Sequence, residues 1–368
     1  MSTDSALRTD PEEAVEESPV RGDLSVFLAT GVGKDPARVY KDSLESIELA
    51  DALGYSFAWV AEAHFNAHIG LPSALSLLAA ATQLTDRIRL GTAVVPLAFD
   101  NPLRLAETAA LVHVLSDHRL EFGVGKGNPF GFSTDAYNAF GLREEDRNDL
   151  FVRALAVIRD ALSGPVTAGD KEVDLYPPAE DLLHRIWQAT GDHATAAAAG
   201  AAGDGLLLFR TSPEGAAGDV QSPLIDSYLR SVDRSRHEPR IGVSRSVLLA
   251  GSREEAVAVA KADFEARADD HPRKPEGTDT RSIEEYLIGF DIAFGSVEDV
   301  VGALNCDAAV ARSTNYLLSL PFAPTGSPYY REGLELLADE VHPRLRRDPY
   351  AFTPRTSGPV PGDARTGS

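Results

Sequence analysis

Short apolar runs alternate with longer amphipathic segments along most of the chain. Leu24–Leu28 is the first such run and reads as a strand. Helical periodicity follows over 36–53, with Leu44, Ile47 and Ala50 on one face and Gly54 as its stop. Ser56–Val60 is a second short strand, and Pro72 opens a helix through Leu75, Leu78 and Ala79. Ile88–Val95, rich in β-branched residues, reads as a third strand. Asn101 and Pro102 then join a capping side chain to a proline suited to the first helical turn. Leu103, Ala106, Ala110 and Val114 recur behind them at helical spacing. Leu120–Val124 is the fourth strand, and a helix across 144–162 follows it. Val166–Tyr176, turning at Gly169 and Asp170, reads as a small extra hairpin.

The second half repeats the alternation. Arg185–Ala189, Gly205–Phe209, Arg240–Leu249 and Thr314–Leu320 read as strands five to eight. Between them lie an alanine-rich helix from about 192 and a helix over roughly 220–232. A capping box of Ser252 and Glu255 opens another, and Ser296 caps one running through Leu304. A last helix carries Leu334, Leu337, Val341 and Leu345. The polar stretch 269–282, with two prolines, reads as a loop or insertion. Eight strands alternating with helices fit an α/β fold of the (β/α)8 TIM-barrel kind. A doubly wound open sheet is the competing topology, and periodicity does not separate the two.

Composition narrows the partners. The chain has 56 acidic and 35 basic residues, a net charge of −21, so its surface repels DNA, RNA and anionic lipid. The charge therefore predicts no nucleic-acid and no membrane partner, and reads first as a solubility surface. Cys306 is the single cysteine, which excludes an intrachain disulfide and a cysteine-based zinc site. Apolar runs fall short of the ~18 residues that span a bilayer. Residues 1–20 are acidic, contain Ser and Pro and lack the apolar core of a signal peptide. They predict a disordered tail on a cytoplasmic protein, with 351–368 as a second tail and 21–350 as one catalytic domain.

Candidate chemistry gathers where strands end, the position at which barrels place their sites. Strand two ends in Ala61-Glu62-Ala63-His64-Phe65, where His64 could move a proton beside Glu62 or serve as a satisfied structural histidine. Together with His68 these residues raise the question of a metal, but a loop without an HExxH helix predicts none. Strand four ends in Gly123, Gly125 and Gly127 around Lys126. Glycines admit a ligand close to the backbone and Lys126 offers a charge to a phosphate; a tight turn explains the run equally well. Thr190, Gly191, Asp192 and Thr195 lie where strand five hands over to a helix N-terminus. An anion there would meet Thr190, Thr195 and backbone N–H groups, with Lys126 or Arg210 nearby and Asp192 an awkward neighbour; plain capping is the alternative. His113, His118 and His237 read as surface or core fillers.

The order of several motifs resembles the bacterial-luciferase-like flavin monooxygenases. AEAHF at 61–65 is similar to that family's EHHF signature, and RIRLGTAVVPLAFDNPLRLAE at 87–107 to its IRLGTAV segment. LVHVLSDHRLEFGVGKG at 111–127, FGLREEDR at 140–147 and IWQATGDHATAAAAGAAGDGLLLFRT at 186–211 continue the likeness. GSVEDV at 295–300 and LADEVHPRLR at 337–346 close it, so that it spans Leu24 to Arg347. GDGLLLFR with SPLIDSYL at 222–229 looks most like a subgroup described as FMN-dependent.

The resemblance implies a homodimeric TIM barrel that takes reduced FMN from a separate flavin reductase and oxidises a small organic substrate with O2. Some relatives use a deazaflavin coenzyme and transfer hydride instead, which is one alternative; a non-catalytic flavin-binding barrel is another. The resemblance also puts Ala93 and Val94 at a non-prolyl cis peptide beneath the flavin ring, and Lys126, Thr195 and Arg147 at the phosphate. Two positions depart from the family pattern. Ala63 replaces the first histidine of the signature, and Asp192 replaces a usual serine. Gly125 stands where luciferase itself carries a reactive cysteine.

Overall fold

The structure, a computed structural model, describes residues 22–29, 35–66, 70–127, 133–212, 215–266, 280–348 and 352. The expected tails (residue 352 apart), His68 and most of the expected loop 269–282 lie outside the described residues. The strands are β1 (Asp23–Leu28), β2 (Phe57–Val60), β3 (Arg89–Thr92), β4 (Val95–Pro96), β5 (Leu120–Gly125), β6 (Val166–Ala168) and β7 (Lys171–Val173). They continue as β8 (Ile186–Ala189), β9 (Gly205–Leu208), β10 (Ile241–Leu249), β11 (Ile292–Gly295) and β12 (Asn315–Ser319). Parallel pairing runs β1-β2-β3-β5-β8-β9-β10-β12 and returns to β1. Eight strands thus close a barrel, which decides against the open sheet. Strands β6 and β7 form the separate antiparallel hairpin that the sequence predicts.

Helices α1 (Pro36–Ala52), α2 (Ala74–Ala81), α3 (Pro102–Leu115), α4 (Thr134–Ala139), α5 (Arg147–Ser163) and α6 (His193–Ala202) surround the first part of the barrel. The rest are α7 (Ala217–Ser231), α8 (Arg253–Ala266), α9 (Thr280–Gly289), α10 (Val297–Cys306) and α11 (Pro328–Leu336). Local chemistry explains their starts. Asn101 Oδ1 accepts from the N–H groups of Leu103 and Arg104 at 3.0 and 3.2 Å. Ser296 and Asp299 make a complete capping box on α10. Ser252 accepts from the Glu255 N–H at 3.2 Å, but Glu255 returns to Gly251 rather than to Ser252.

Three expectations need correction. The third strand stops at Thr92, not Val95, because the chain turns at a cis Ala93–Val94 peptide before β4 resumes against β5. Residues 280–282 belong to α9 rather than to a loop. Strand β11, absent from the sequence reading, adds to the outer end of β10, where Leu249 pairs with Gly295. Leu248, Phe264, Ile283, Leu287, Phe294 and Phe322 form a small second core between this strand and helices α8 and α9.

The barrel interior is filled from the sequence up. Phe57, Trp59, Trp187, Leu207 and Leu317 form its buried plug, with the two indoles edge to face at 5.2 Å. Glycine makes room for each indole. A Cβ at Gly91 would lie 2.2 Å from the Trp59 ring, and one at Gly205 would lie 2.1 Å from the Trp187 ring. Towards the N-terminal end of β5 the buried Glu121 accepts from Trp187 Nε1 at 2.6 Å and from Arg185 at 2.9 Å, and it also pairs with Arg89 and Arg240. The plug seals this end, so the opposite rim carries the cleft.

Candidate functional site

The C-terminal ends of the strands enclose a cleft with about 970 Å³ of non-atom space, its mouth included. Its walls come from β1 (Phe27), the β2 end (Ala61 to His64), the β3–β4 turn (Ala93, Val94, Pro96) and β9 with its end (Leu207 to Arg210). Ala189 of β8, Ser244 of β10 and Leu317 of β12 complete the floor. The lining is largely apolar, with Glu62, His64 and Arg210 the charged or titratable groups among the described residues. That combination suits a flat aromatic ligand fixed by a few polar contacts.

At one side, His64 Nε2 lies 3.2 Å from Glu62 Oε1. The second carboxylate oxygen of Glu62 accepts the Ala74 N–H at 2.7 Å and so anchors the start of α2. Glu62 is thereby tied at both oxygens, and it orients the imidazole from a fixed point. Phe99 and Phe140 meet the His64 ring edge to face at 5.2 and 5.4 Å, which restricts its rotation. Nδ1 is the ring nitrogen that Glu62 does not engage. A histidine held by a carboxylate is a proton donor or acceptor of fixed geometry.

Next in the chain to the cleft residues Gly127 and Ala189, four polar side chains that are not themselves among the cleft-lining residues converge at the N-terminus of α6. Lys126 Nζ donates to Asp192 Oδ2 at 2.9 Å and to Thr195 Oγ1 at 2.8 Å. Thr195 Oγ1 and Thr190 Oγ1 both donate to Asp192 Oδ2, at 2.9 and 3.0 Å. Asp192 Oδ1 caps the helix by accepting the Thr195 N–H at 2.7 Å. Partial burial alone would raise the Asp192 carboxyl, but the hydrogen bonds from Thr195 and Lys126 outweigh it and bring its pKa down to about 2. The arrangement gathers one cation and two hydroxyls whose donors are engaged by the chain's own carboxylate.

The residues singled out in sequence thus separate into groups. Lys126, Thr190 and Thr195 come together as expected, and the capping alternative also holds, because Asp192 is the cap. Glu62, His64, Ala93, Val94 and Arg210 line the cleft. Gly125 lies behind the Ala93–Val94 turn, where an added Cβ would meet Val94 Cγ2 at 2.6 Å; glycine is needed there for packing. Gly191 is exposed, with open space around its Cα. Arg147 opens α5 and stands 3.7 Å from Glu144, and it is not among the cleft-lining residues. Arg210 stacks over the Phe27 ring at 5.0 Å.

Sequence reading missed the residues that hold these groups in place. Tyr137, on the unexpected helix α4, donates its hydroxyl to the Lys126 carbonyl at 2.8 Å. Phe99 ends a single 3-10 turn (Leu97–Phe99) and Phe140 caps the short α4, segments too short for periodicity to mark.

Comparison with known proteins bears on this geometry. A family model described as luciferase-like monooxygenase matches residues 23–303. An uncharacterized protein of Sinorhizobium fredii is 24% identical over 336 residues, 86% of this chain and 95% of that protein. Limonene 1,2-monooxygenase of Rhodococcus erythropolis is 29% identical over 206 residues, 53% of this chain and 52% of the enzyme. Among solved structures, the oxygenating constituent of 3,6-diketocamphane monooxygenase from Pseudomonas putida, in complex with FMN, superposes with a TM-score of 0.69 at 17% identity, covering 89% of this chain and 99% of that one. The coenzyme F420 dependent tetrahydromethanopterin reductase of Methanopyrus kandleri superposes with a TM-score of 0.63 at 17% identity, covering 89% and 100%.

Proposed function

Because the chain belongs to the luciferase-like monooxygenase family, we propose that it is the oxygenase of a two-component system that uses reduced FMN and O2 to oxidise a small organic substrate. One observation carries this reading. The apolar cleft carries a carboxylate-oriented histidine in its wall, and the cationic, hydroxyl-bearing cluster of Lys126, Thr190 and Thr195 directly adjoins its lining residues Gly127 and Ala189 along the chain. A flavin mononucleotide has the matching polarity, with a phosphate tail at one end and a broad ring at the other.

Lys126, Thr195 and Thr190 would hold the phosphate, with Arg147 and the α6 N-terminus, including Gly191, contributing to the local field. Ala93 and Val94 would support the ring, Gly125 would let that turn approach it, and Arg210 would lie beside it. The residues present fit the group with one tension, the Asp192 carboxylate, which a bound phosphate would have to displace from Lys126. When bound, reduced flavin supplies the oxygen-activating chemistry that side chains lack. The chain orients it, excludes water through the Phe27, Phe99 and Phe209 walls, and holds or moves a proton at His64 Nδ1 under the control of Glu62. A separate reductase supplies the reduced flavin in this reading, in keeping with the likeness to an oxygenating constituent. The active form is taken to be a homodimer in the cytoplasm. Among the described residues no helix is long and apolar enough to cross a membrane.

The likeness in fold to an F420-dependent reductase motivates a second reading, hydride transfer with a deazaflavin. Incubating the protein with each reduced cofactor and a panel of small ketones, terpenes and thioethers separates the two. Oxygen-dependent product with reduced FMN supports the monooxygenase, whereas anaerobic hydride transfer with the deazaflavin supports the alternative. Slow flavin reoxidation without product across the panel would leave a flavin-binding barrel without oxygenase activity.

A further inference from the structure

Three metal-ligating atoms converge on the face of the barrel opposite the cleft. His113 stands in the last turn of α3, His118 in the turn that follows, and Asp181 in the short helical segment Glu180–Arg185 that leads into β8. Asp181 Oδ2 lies 3.0 Å from His113 Nε2 and 2.8 Å from His118 Nδ1, and the two nitrogens are 3.2 Å apart. We propose that His113, His118 and Asp181 form a structural site for a divalent transition-metal ion of the zinc class.

The distances support the assignment. A tetrahedral ion about 2.0–2.2 Å from each ligand holds ligand atoms roughly 3.3–3.5 Å apart. The sides of the observed triangle, 2.8, 3.0 and 3.2 Å, need to open by roughly 0.1–0.7 Å, most at the His118–Asp181 side. His118 and Asp181 can provide that movement, because their side chains are 52% and 50% exposed. His113 is fully buried and supplies the fixed corner. Its Nδ1 has no hydrogen-bond partner among the described residues, so Nε2 carries the ring's polar connection.

The chain is shaped to bring the second imidazole back. Asp117 and His118 adopt left-handed backbone angles of φ 52° and 59°, and the His118 N–H closes onto the His113 carbonyl at 2.8 Å. The rings then meet edge to face with centroids 4.7 Å apart. Two imidazoles and one carboxylate favour zinc, copper, nickel or ferrous iron over the oxygen-seeking magnesium and calcium. The exposed side leaves a fourth position for water. The net charge of −21 favours cation capture.

The position gives the ion its role. The site joins the turn before β5 to the segment before β8, and those two strands are neighbours in the barrel. A bound ion would brace this part of the wall far from the cleft, so its loss should lower thermal stability without touching the flavin site.

The test uses the full chain without a histidine tag. Equilibrium dialysis against Zn2+ with elemental analysis should show one ion per chain, and substitution with Co2+ should give the visible d–d absorption of a nitrogen- and oxygen-ligated tetrahedral ion. His118→Ala and Asp181→Asn alter half-exposed side chains and should keep the far-ultraviolet circular dichroism of the parent, while each weakens Zn2+ at least about tenfold. Zn2+ should also raise the Tm of the parent and not of either variant. Failure of the parent to retain stoichiometric Zn2+, or equal retention by both folded variants, would overturn the proposal.

Discussion

Replacing Asp192 by Asn isolates the tension in the proposed phosphate cradle. In the free protein this carboxylate takes hydrogen bonds from Lys126, Thr190 and Thr195 through one oxygen. Its pKa falls from the ordinary 3.8 to about 2. At about 1.4 kcal/mol for each tenfold change in proton affinity, that corresponds to roughly 2.4 kcal/mol before screening. The side chain is 49% exposed, so solvent reduces the figure to about 1 kcal/mol. Asparagine keeps an Oδ1 for the helix cap, and the variant should lose about 1 kcal/mol of stability near neutral pH.

The sign of the pH effect follows from the lowered pKa. The carboxylate's contribution is complete above 3.8 and fades as pH falls through about 2, so the variant should lack that part of the parent's acid-induced destabilisation. Ligand binding should move the other way. A phosphate hydrogen-bonded to Lys126 would sit within about 5 Å of the carboxylate, and at an effective dielectric near 20 each pair of unit charges repels by about 3 kcal/mol. Exposure trims this to about 1–3 kcal/mol, or roughly 5- to 150-fold in affinity. Fluorescence titrations with FMN and with riboflavin, which lacks the phosphate, measure the effect directly. FMN should tighten by that factor and riboflavin should stay within about twofold. Equal changes for both ligands, or weaker FMN binding, would refute the placement of the phosphate.

Other side chains make separate predictions. His64→Ala should lower turnover at least about 100-fold and change flavin affinity less than threefold, as expected of a group that moves a proton; an unchanged turnover number in steady-state assays would return His64 to a structural role. Glu121→Ala leaves Arg89, Arg185 and Arg240 without their shared carboxylate and Trp187 Nε1 without its acceptor. Because those arginines are partly exposed, the loss should be about 2–4 kcal/mol by chemical denaturation, and a loss under about 1 kcal/mol would contradict the reasoning. Gly91→Ala drives a methyl to 2.2 Å from a fully buried indole and should cost about 3 kcal/mol, read as a Tm several degrees lower.

Much of the barrel was legible because its signals are local. The ring strands announced themselves as short apolar runs, and their helices through caps such as Asn101 and Ser296. What stayed hidden depends on contacts distant in sequence. Strand β3 ends early because the chain turns at Ala93–Val94, which β-branched composition conceals and which only the family resemblance pointed to. Strand β11 is four residues long and finds its partner only because β10 runs past the ring to Leu249. The link from Lys126 to Asp192 and Thr195 joins residues 66 and 69 positions apart, so spacing could name its members but not their union. The same holds for His113, His118 and Asp181, in which two histidines that read as fillers share a carboxylate more than sixty positions away.

The central claim is that the strand ends bind FMN with its phosphate at the α6 N-terminus and its ring on the Ala93–Val94 turn. A crystal structure of the protein soaked with FMN tests it most directly. The account predicts phosphate oxygens within hydrogen-bonding distance of Lys126 Nζ and Thr195 Oγ1, the Asp192 carboxylate turned away, and the ring between that turn and His64. Flavin density elsewhere on the barrel, or a cleft that stays free of flavin at saturating concentration, would contradict it.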